Sequence, residues 1–114
     1  METNNKSVLL ATDQNFEEVR QSSKVVLLDF GATWCPACKM MEPILDELAG
    51  NFAGLVTISK VDVEDNAGLT SQYGVRTIPA LVIFKEGEVI KRYTGFTPKS
   101  VLTKDLSSLI SLTV

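Results

Sequence analysis

The stretch "VVLLDFGATWCPACKMMEPILDELA", residues 25–49, decides how this chain folds. Lys24 to Phe30 is β-branched and aliphatic on both faces, the pattern of a central strand covered on either side. From Cys35 to about Asn51 the pattern becomes helical, with Cys38, Met41, Ile44, Leu45 and Leu48 on one stripe. Met40, Met41, Leu45 and Leu48 are assigned to the core rather than to any binding surface. Pro43, inside the helix, is expected to kink it.

The only two cysteines, Cys35 and Cys38, stand at the junction. Proline suits the first helical position, so Pro36 makes Cys35 the N-cap, its sulfur facing unpaired N–H groups and the positive end of the helix dipole. Both effects favour a thiolate, the form of cysteine that attacks disulfides. Helical residues three apart have Cβ atoms roughly 5–6 Å apart. A disulfide wants ~3.8 Å, so a slight adjustment lets the pair open and close.

Working outward, Val8 to Leu10 reads as a short strand and Asp13 to Gln21 as a helix capped by Thr12 or Asp13. Leu55 to Val61 reads as a strand, and Asn66 to Tyr73 as a helix ending at Gly74. Ala80 to Lys85 and Glu88 to Tyr93 flank a hairpin turn at Glu86-Gly87, and Thr97 caps a last helix with Pro98 at its first position. The order βαβαβαββα predicts an α/β fold: a mixed five-stranded sheet flanked by four helices, with parallel crossovers first and an antiparallel hairpin last. At 114 residues, 1–114 is expected to be one domain.

Composition narrows the function. The formal net charge is −3, with no basic run, which argues against nucleic acid as a partner. Apolar runs such as Val25 to Leu28 and Ala80 to Phe84 are too short to span a membrane. The polar start, Met1 to Lys6, has no signal-peptide core, so a cytoplasmic location is expected. There is no histidine, which removes Cys/His metal sites and any imidazole base. Three uses of the cysteine pair remain: a redox couple, half a zinc site completed elsewhere, or two inert buried thiols. A disulfide closing so small a loop restrains the unfolded chain little, so stapling the fold is not its use.

Residues 25–49, together with "KVDVEDNAGLTSQYGVRTIPALVIFKEGEVIKRYTGF" at 60–96, resemble the thioredoxin family, whose active-site segment typically reads V-D-F-W-A-x-W-C-G-P-C-K-M. The similarity runs from about Val8 to Leu109. It implies the thioredoxin fold and a protein-disulfide reductase in which Cys35 is the nucleophile and Cys38 resolves the mixed disulfide. Trp34, Ile78, Pro79, Gly95 and Phe96 would form an apolar rim around an exposed Cys35 sulfur, with Pro36, Ala37 and Thr77 also meeting substrate. Asp29 matches an acid that accepts the Cys38 proton, against the alternative of a strand-end carboxylate bonded to backbone. Lys60 matches the lysine near that acid, against a solvated charge. Pro79 matches a cis proline, against an ordinary trans one, and leaves the Thr77/Ile78 backbone free to pair with an extended peptide. The resemblance further implies no bound cofactor, electrons from NADPH through a flavoprotein thioredoxin reductase, disulfide-containing protein substrates and a monomer.

Two departures stand out. Gly31 occupies the place of a bulky aromatic, which either loosens packing behind the cysteines or leaves a groove. Pro36-Ala37 replaces Gly-Pro, leaving N–H donors at both Ala37 and Cys38 to stabilise a Cys35 thiolate and make the couple more oxidising. That change favours, as alternatives, a disulfide oxidase or isomerase. A non-catalytic binding module on the same fold is the third possibility.

Overall fold

The computed structural model describes residues 8–112, so the polar start at Met1 to Lys6 lies outside the described residues. Along the chain come β1 (Val8–Leu10), α1 (Phe16–Arg20), β2 (Val25–Gly31), α2 (Pro36–Asn51) and β3 (Val56–Asp62). They are followed by α3 (Ala67–Gln72), β4 (Ala80–Lys85), β5 (Glu88–Thr94) and α4 (Lys99–Leu112). The five strands form one sheet in the order β1-β3-β2-β4-β5. β3 runs parallel to β1 and β2, while β4 is antiparallel to both β2 and β5. This is the mixed sheet with four helices that the sequence pattern predicts.

β2 holds the centre, and its two faces explain its continuous apolar run. Val25 and Leu27 pack with Met41, Leu45 and Leu48 of α2 and with Leu102 and Leu106 of α4. Val26, Leu28 and Phe30 pack instead with Phe16 and Val19 of α1 and Leu69 of α3. Alternation along the strand therefore puts Asp29 on the α2 face, in line with Val25 and Leu27. The hairpin between β4 and β5 turns at Glu86 and Gly87, both with positive φ (53° and 86°), the type I′ geometry that suits the strand twist.

Several expectations need correction. Met40 is 58 % exposed and lies outside the core, whereas Met41, Leu45 and Leu48 are buried. α1 begins at Phe16 rather than Asp13, because Thr12 and Asn15 bond reciprocally ahead of it. Thr12 N–H donates to Asn15 Oδ1 at 2.7 Å, and Asn15 N–H donates to Thr12 Oγ1 at 3.1 Å. Thr97 does not cap α4 as expected. Its hydroxyl donates to the Gly95 carbonyl at 3.1 Å, and the Pro98 carbonyl accepts from Val101 and Leu102 to start the helix. Pro43 lies inside helix α2, on its exposed side.

Asp13, one of the two residues expected to cap α1, serves α3 instead. Its carboxylate accepts N–H groups from Gly68 at 3.2 Å and Leu69 at 2.8 Å, while its own N–H donates to Asn66 Oδ1 at 2.9 Å. A Cβ on Gly68 would lie 3.0 Å from that carboxylate, so glycine permits the approach. Asp13→Ala is expected to cost about 1 kcal/mol, the usual worth of a lost cap, read as a lower urea midpoint at unchanged slope. An unchanged midpoint would show that the cap contributes nothing.

Candidate active site

The carboxyl end of β2 and the start of α2 meet at the cysteines. Cys35 has extended backbone (φ −93°, ψ 113°) and caps α2, with Pro36 in the first turn. Its Sγ accepts the Cys38 N–H at 3.2 Å. Ala37 N–H is not among its donors in this disulfide form, so only one of the two expected cap bonds is made. Cys35 and Cys38 are disulfide-paired with Cα atoms 5.2 Å apart, inside the range such bonds require.

The Cys35 sulfur is less open than the family resemblance implies. Cys35 is only 5 % and Cys38 6 % exposed, because Ala32, Ala37, Val63 and Ile78 pack around them. Val63 is an addition to the expected neighbours. It is held there by its N–H, which donates to the Gly31 carbonyl at 2.9 Å where β3 leaves the sheet.

Around the pair lie the residues of the expected rim. The Ile78–Pro79 bond is cis, and Pro79 is buried at the entry to β4. Gly95 N–H donates to the Pro79 carbonyl at 2.7 Å, and Gly95 takes φ 87°, where a side chain would be strained. Trp34 and Phe96 are exposed, as are Thr77 and Pro36, while Ala37, Ile78 and Gly95 are half-buried. Trp34 Nε1–H donates to Glu64 Oε2 at 2.7 Å, which fixes the indole. Glu64 escaped the sequence reading because it comes from the turn after β3, a distant part of the chain.

Beneath the cysteines, register pairs Asp29 of β2 directly with Lys60 of β3. Asp29 is 4 % exposed, and its Oδ1 has no hydrogen-bond partner among the described residues. It is therefore not the backbone-bonded strand-end carboxylate of the alternative expectation. Burial pushes its carboxyl up to about 7; nearby Lys60 opposes the rise and Glu42 on α2 adds to it. Lys60 itself is only half-buried.

A cavity of about 510 Å³ opens behind the cysteines, and Asp29, Gly31, Cys38, Glu42 and Lys60 are among its lining residues. A Cβ built on Gly31 would sit 3.1 Å from Cys38 Sγ and 3.2 Å from Cys38 Cβ. The bare glycine thus lets Cys38, at the start of α2, settle close to β2.

The thioredoxin family model matches residues 7–108, spanning every element from β1 into α4. The chain belongs to the thioredoxin family. It is 44% identical over 101 residues to thioredoxin 2 of Chlorobaculum tepidum, covering 88% of this chain and 93% of that protein. To a thioredoxin of Haemophilus influenzae it is 45% identical over 104 residues, covering 90% and 97%. An N21Q mutant thioredoxin from Halobacterium salinarum shares the fold with a TM-score of 0.84 at 32% identity, covering 95% of each chain. This thioredoxin-family chain is a thiol–disulfide oxidoreductase, and Cys35–Cys38 is its redox-active disulfide. Among the described residues no helix is long and apolar enough to cross a membrane, and no three Cys, His, Asp or Glu groups converge to hold a metal.

Proposed function

We propose that the chain reduces disulfides in protein substrates, with Cys35 as nucleophile and Cys38 as resolving residue. The observation that carries this assignment is the position of Cys35 at the N-cap of α2, its Sγ accepting an N–H bond. A thiolate there gains from the helix dipole and from charge-assisted hydrogen bonding, which no cysteine deeper in the helix does. The Cys35 thiolate attacks one sulfur of the substrate disulfide, and the other sulfur leaves as a thiolate and takes a proton from water. Cys38 then passes its proton to the Asp29 carboxylate and attacks the Cys35 sulfur, expelling the second substrate sulfur. The substrate gains two electrons, and the enzyme is left as the Cys35–Cys38 disulfide.

Asp29 suits the role of base because its carboxyl titrates near 7, close to working pH. Lys60, its register partner, acts as a positioning charge that keeps the ionised form accessible. Substrate would lie as an extended peptide against the Thr77/Ile78 backbone, between Trp34, Pro36 and Ala37 on one side and Pro79, Gly95 and Phe96 on the other. The electrons come from NADPH through a flavoprotein thioredoxin reductase, and the enzyme works in the cytoplasm as a monomer of one domain, residues 1–114, with no bound cofactor. Reduction of insulin disulfides coupled to NADPH and a reductase tests this. No turnover, combined with full partner binding by the Cys35→Ser, Cys38→Ser double variant, would favour a binding module instead.

The Pro36-Ala37 order bears on whether the couple leans toward oxidase or isomerase chemistry. In the exchanged variant Pro36→Gly, Ala37→Pro, the second helical position loses its N–H, while the Cys38 donor remains. Ala37 N–H does not bond Cys35 in the disulfide form, so the reduced thiolate must recruit it; without that charge-assisted bond the thiolate is less stable, and the exchanged protein is expected to be more reducing by roughly 30 mV. Equilibration against a glutathione buffer reads the difference. An unchanged or more oxidising potential would sink the hydrogen-bond account.

A further inference from the structure

The cavity that Gly31 lines is separate from the substrate rim. Cys38 is in its lining, but Trp34, Ile78, Pro79, Gly95 and Phe96 are not. Its inner lining is buried and includes Asp29, Ala32, Cys38 and Val61, while Leu10, Thr33, Glu42 and Asp65 line it from exposed positions. At about 510 Å³ it has the size of a small-molecule site.

Charge and hydrogen bonding select what fits. Asp29, Glu42, Asp62 and Asp65 contribute four carboxyl groups to the lining against the single ammonium of Lys60. Among the described residues Asp29 Oδ1 is a buried acceptor without a partner, and such an acceptor favours an incoming donor. The nearby polar groups are already engaged: Asn66 Oδ1 accepts from Asp13 N–H, Asn66 Nδ2 donates to the Asp62 carbonyl, and Asp62 Oδ1 accepts from Glu64 N–H. Among the described residues the carboxyl groups do not converge as metal ligands do, so an extended organic cation fits better than a metal ion. We infer that this cavity binds a small, flat organic cation, an amidinium or guanidinium on an apolar body, with its charged end turned toward Asp29. The apolar body rests on Ala32 and Leu10, Leu10 standing in register with Lys60 on the Asp29 face of the sheet.

Benzamidine is the probe, with neutral benzamide and anionic benzoate as controls, titrated into the oxidised full chain and followed by amide NMR shifts. Benzamidine is expected to give saturable shifts at Gly31, Ala32, Thr33 and Cys38, to bind about tenfold tighter than benzamide, and to leave benzoate far behind. The groups facing Asp29 are Lys60 from β3 and Glu42 from α2, with Asp62 and Asp65 also in the lining. A proton on Asp29 removes one carboxylate from that set, so affinity is expected to fall about tenfold between about pH 8 and about pH 5.5. Asp29→Asn should abolish that pH dependence and leave benzamide binding unchanged.

Gly31→Trp fills the cavity, but its Cβ would press on Cys38 Sγ at 3.1 Å and so risks the fold. Leu10→Trp fills it from a wall that is 65 % exposed and serves as the second variant. Both are expected to abolish the shifts. Shifts that fail to saturate, that fall outside the cavity, that are equal for benzoate, or that survive Leu10→Trp would each overturn the inference.

Discussion

Cys38→Ser is expected to stop turnover while leaving the first half-reaction intact. With Cys35 still at the N-cap of α2, its thiolate attacks a substrate disulfide as before. The mixed disulfide then has no neighbouring thiol to resolve it. Steady-state reduction should fall by about 10³-fold or more, as when a residue of a covalent cycle is removed. One substrate molecule should stay bound per chain, released by added dithiol and visible by intact mass. The variant should fold, because the native disulfide spans only three positions in sequence and constrains the unfolded chain little. Cys35→Ser should form no adduct at all. Adducts on Cys35→Ser, or none on Cys38→Ser, would reverse the assigned roles.

Asp29→Asn is expected to stabilise the fold and slow the enzyme. The folded chain holds the Asp29 proton up to about pH 7, whereas the unfolded chain releases it near 3.8. Between those values the native state binds more protons than the unfolded state, so this group's contribution falls as pH rises and levels off above 7. Ionised Asp29 then sits buried with no hydrogen-bond partner on Oδ1 among the described residues. Asparagine removes that cost, so the variant should gain roughly 2–4 kcal/mol at about pH 8 and little near pH 4, by urea unfolding of the oxidised forms. An equal gain at both pH values would mean that charge is not the source. The resolution step should slow by about 10²-fold near neutrality, and its rise through pH 7 should vanish. A wild-type rate of mixed-disulfide decay in Asp29→Asn would remove Asp29 as the base.

Much of this architecture is legible because it is written in local periodicity. The two-faced apolar run of β2 and the helical stripe of α2 identify the central strand and the helix packed on it. Alternation alone puts Asp29 on the helix side. What stays hidden depends on contacts between distant segments. Asp13 caps a helix more than fifty positions away, so a rule built on neighbouring residues assigns it to the wrong one. The family resemblance implies an exposed Cys35 sulfur, but Val63, from the turn after β3, joins the expected Ile78 in closing over it. Met40 carries an apolar side chain on the exposed side of α2, where composition gives no warning. The Gly31 position is visible as a departure, but only the folded structure shows that Cys38 packs closely against it and that it lines a cavity.

Thiol transfer tests the central claim most directly. The reduced chain is mixed with an excess of a disulfide-bonded protein near neutral pH, and thiols on both proteins are counted after separation. The account predicts that each chain loses the thiols of its two cysteines, that the acceptor gains as many, and that Cys35→Ser transfers none. No transfer from the wild-type chain, or transfer undiminished in Cys35→Ser, would contradict it.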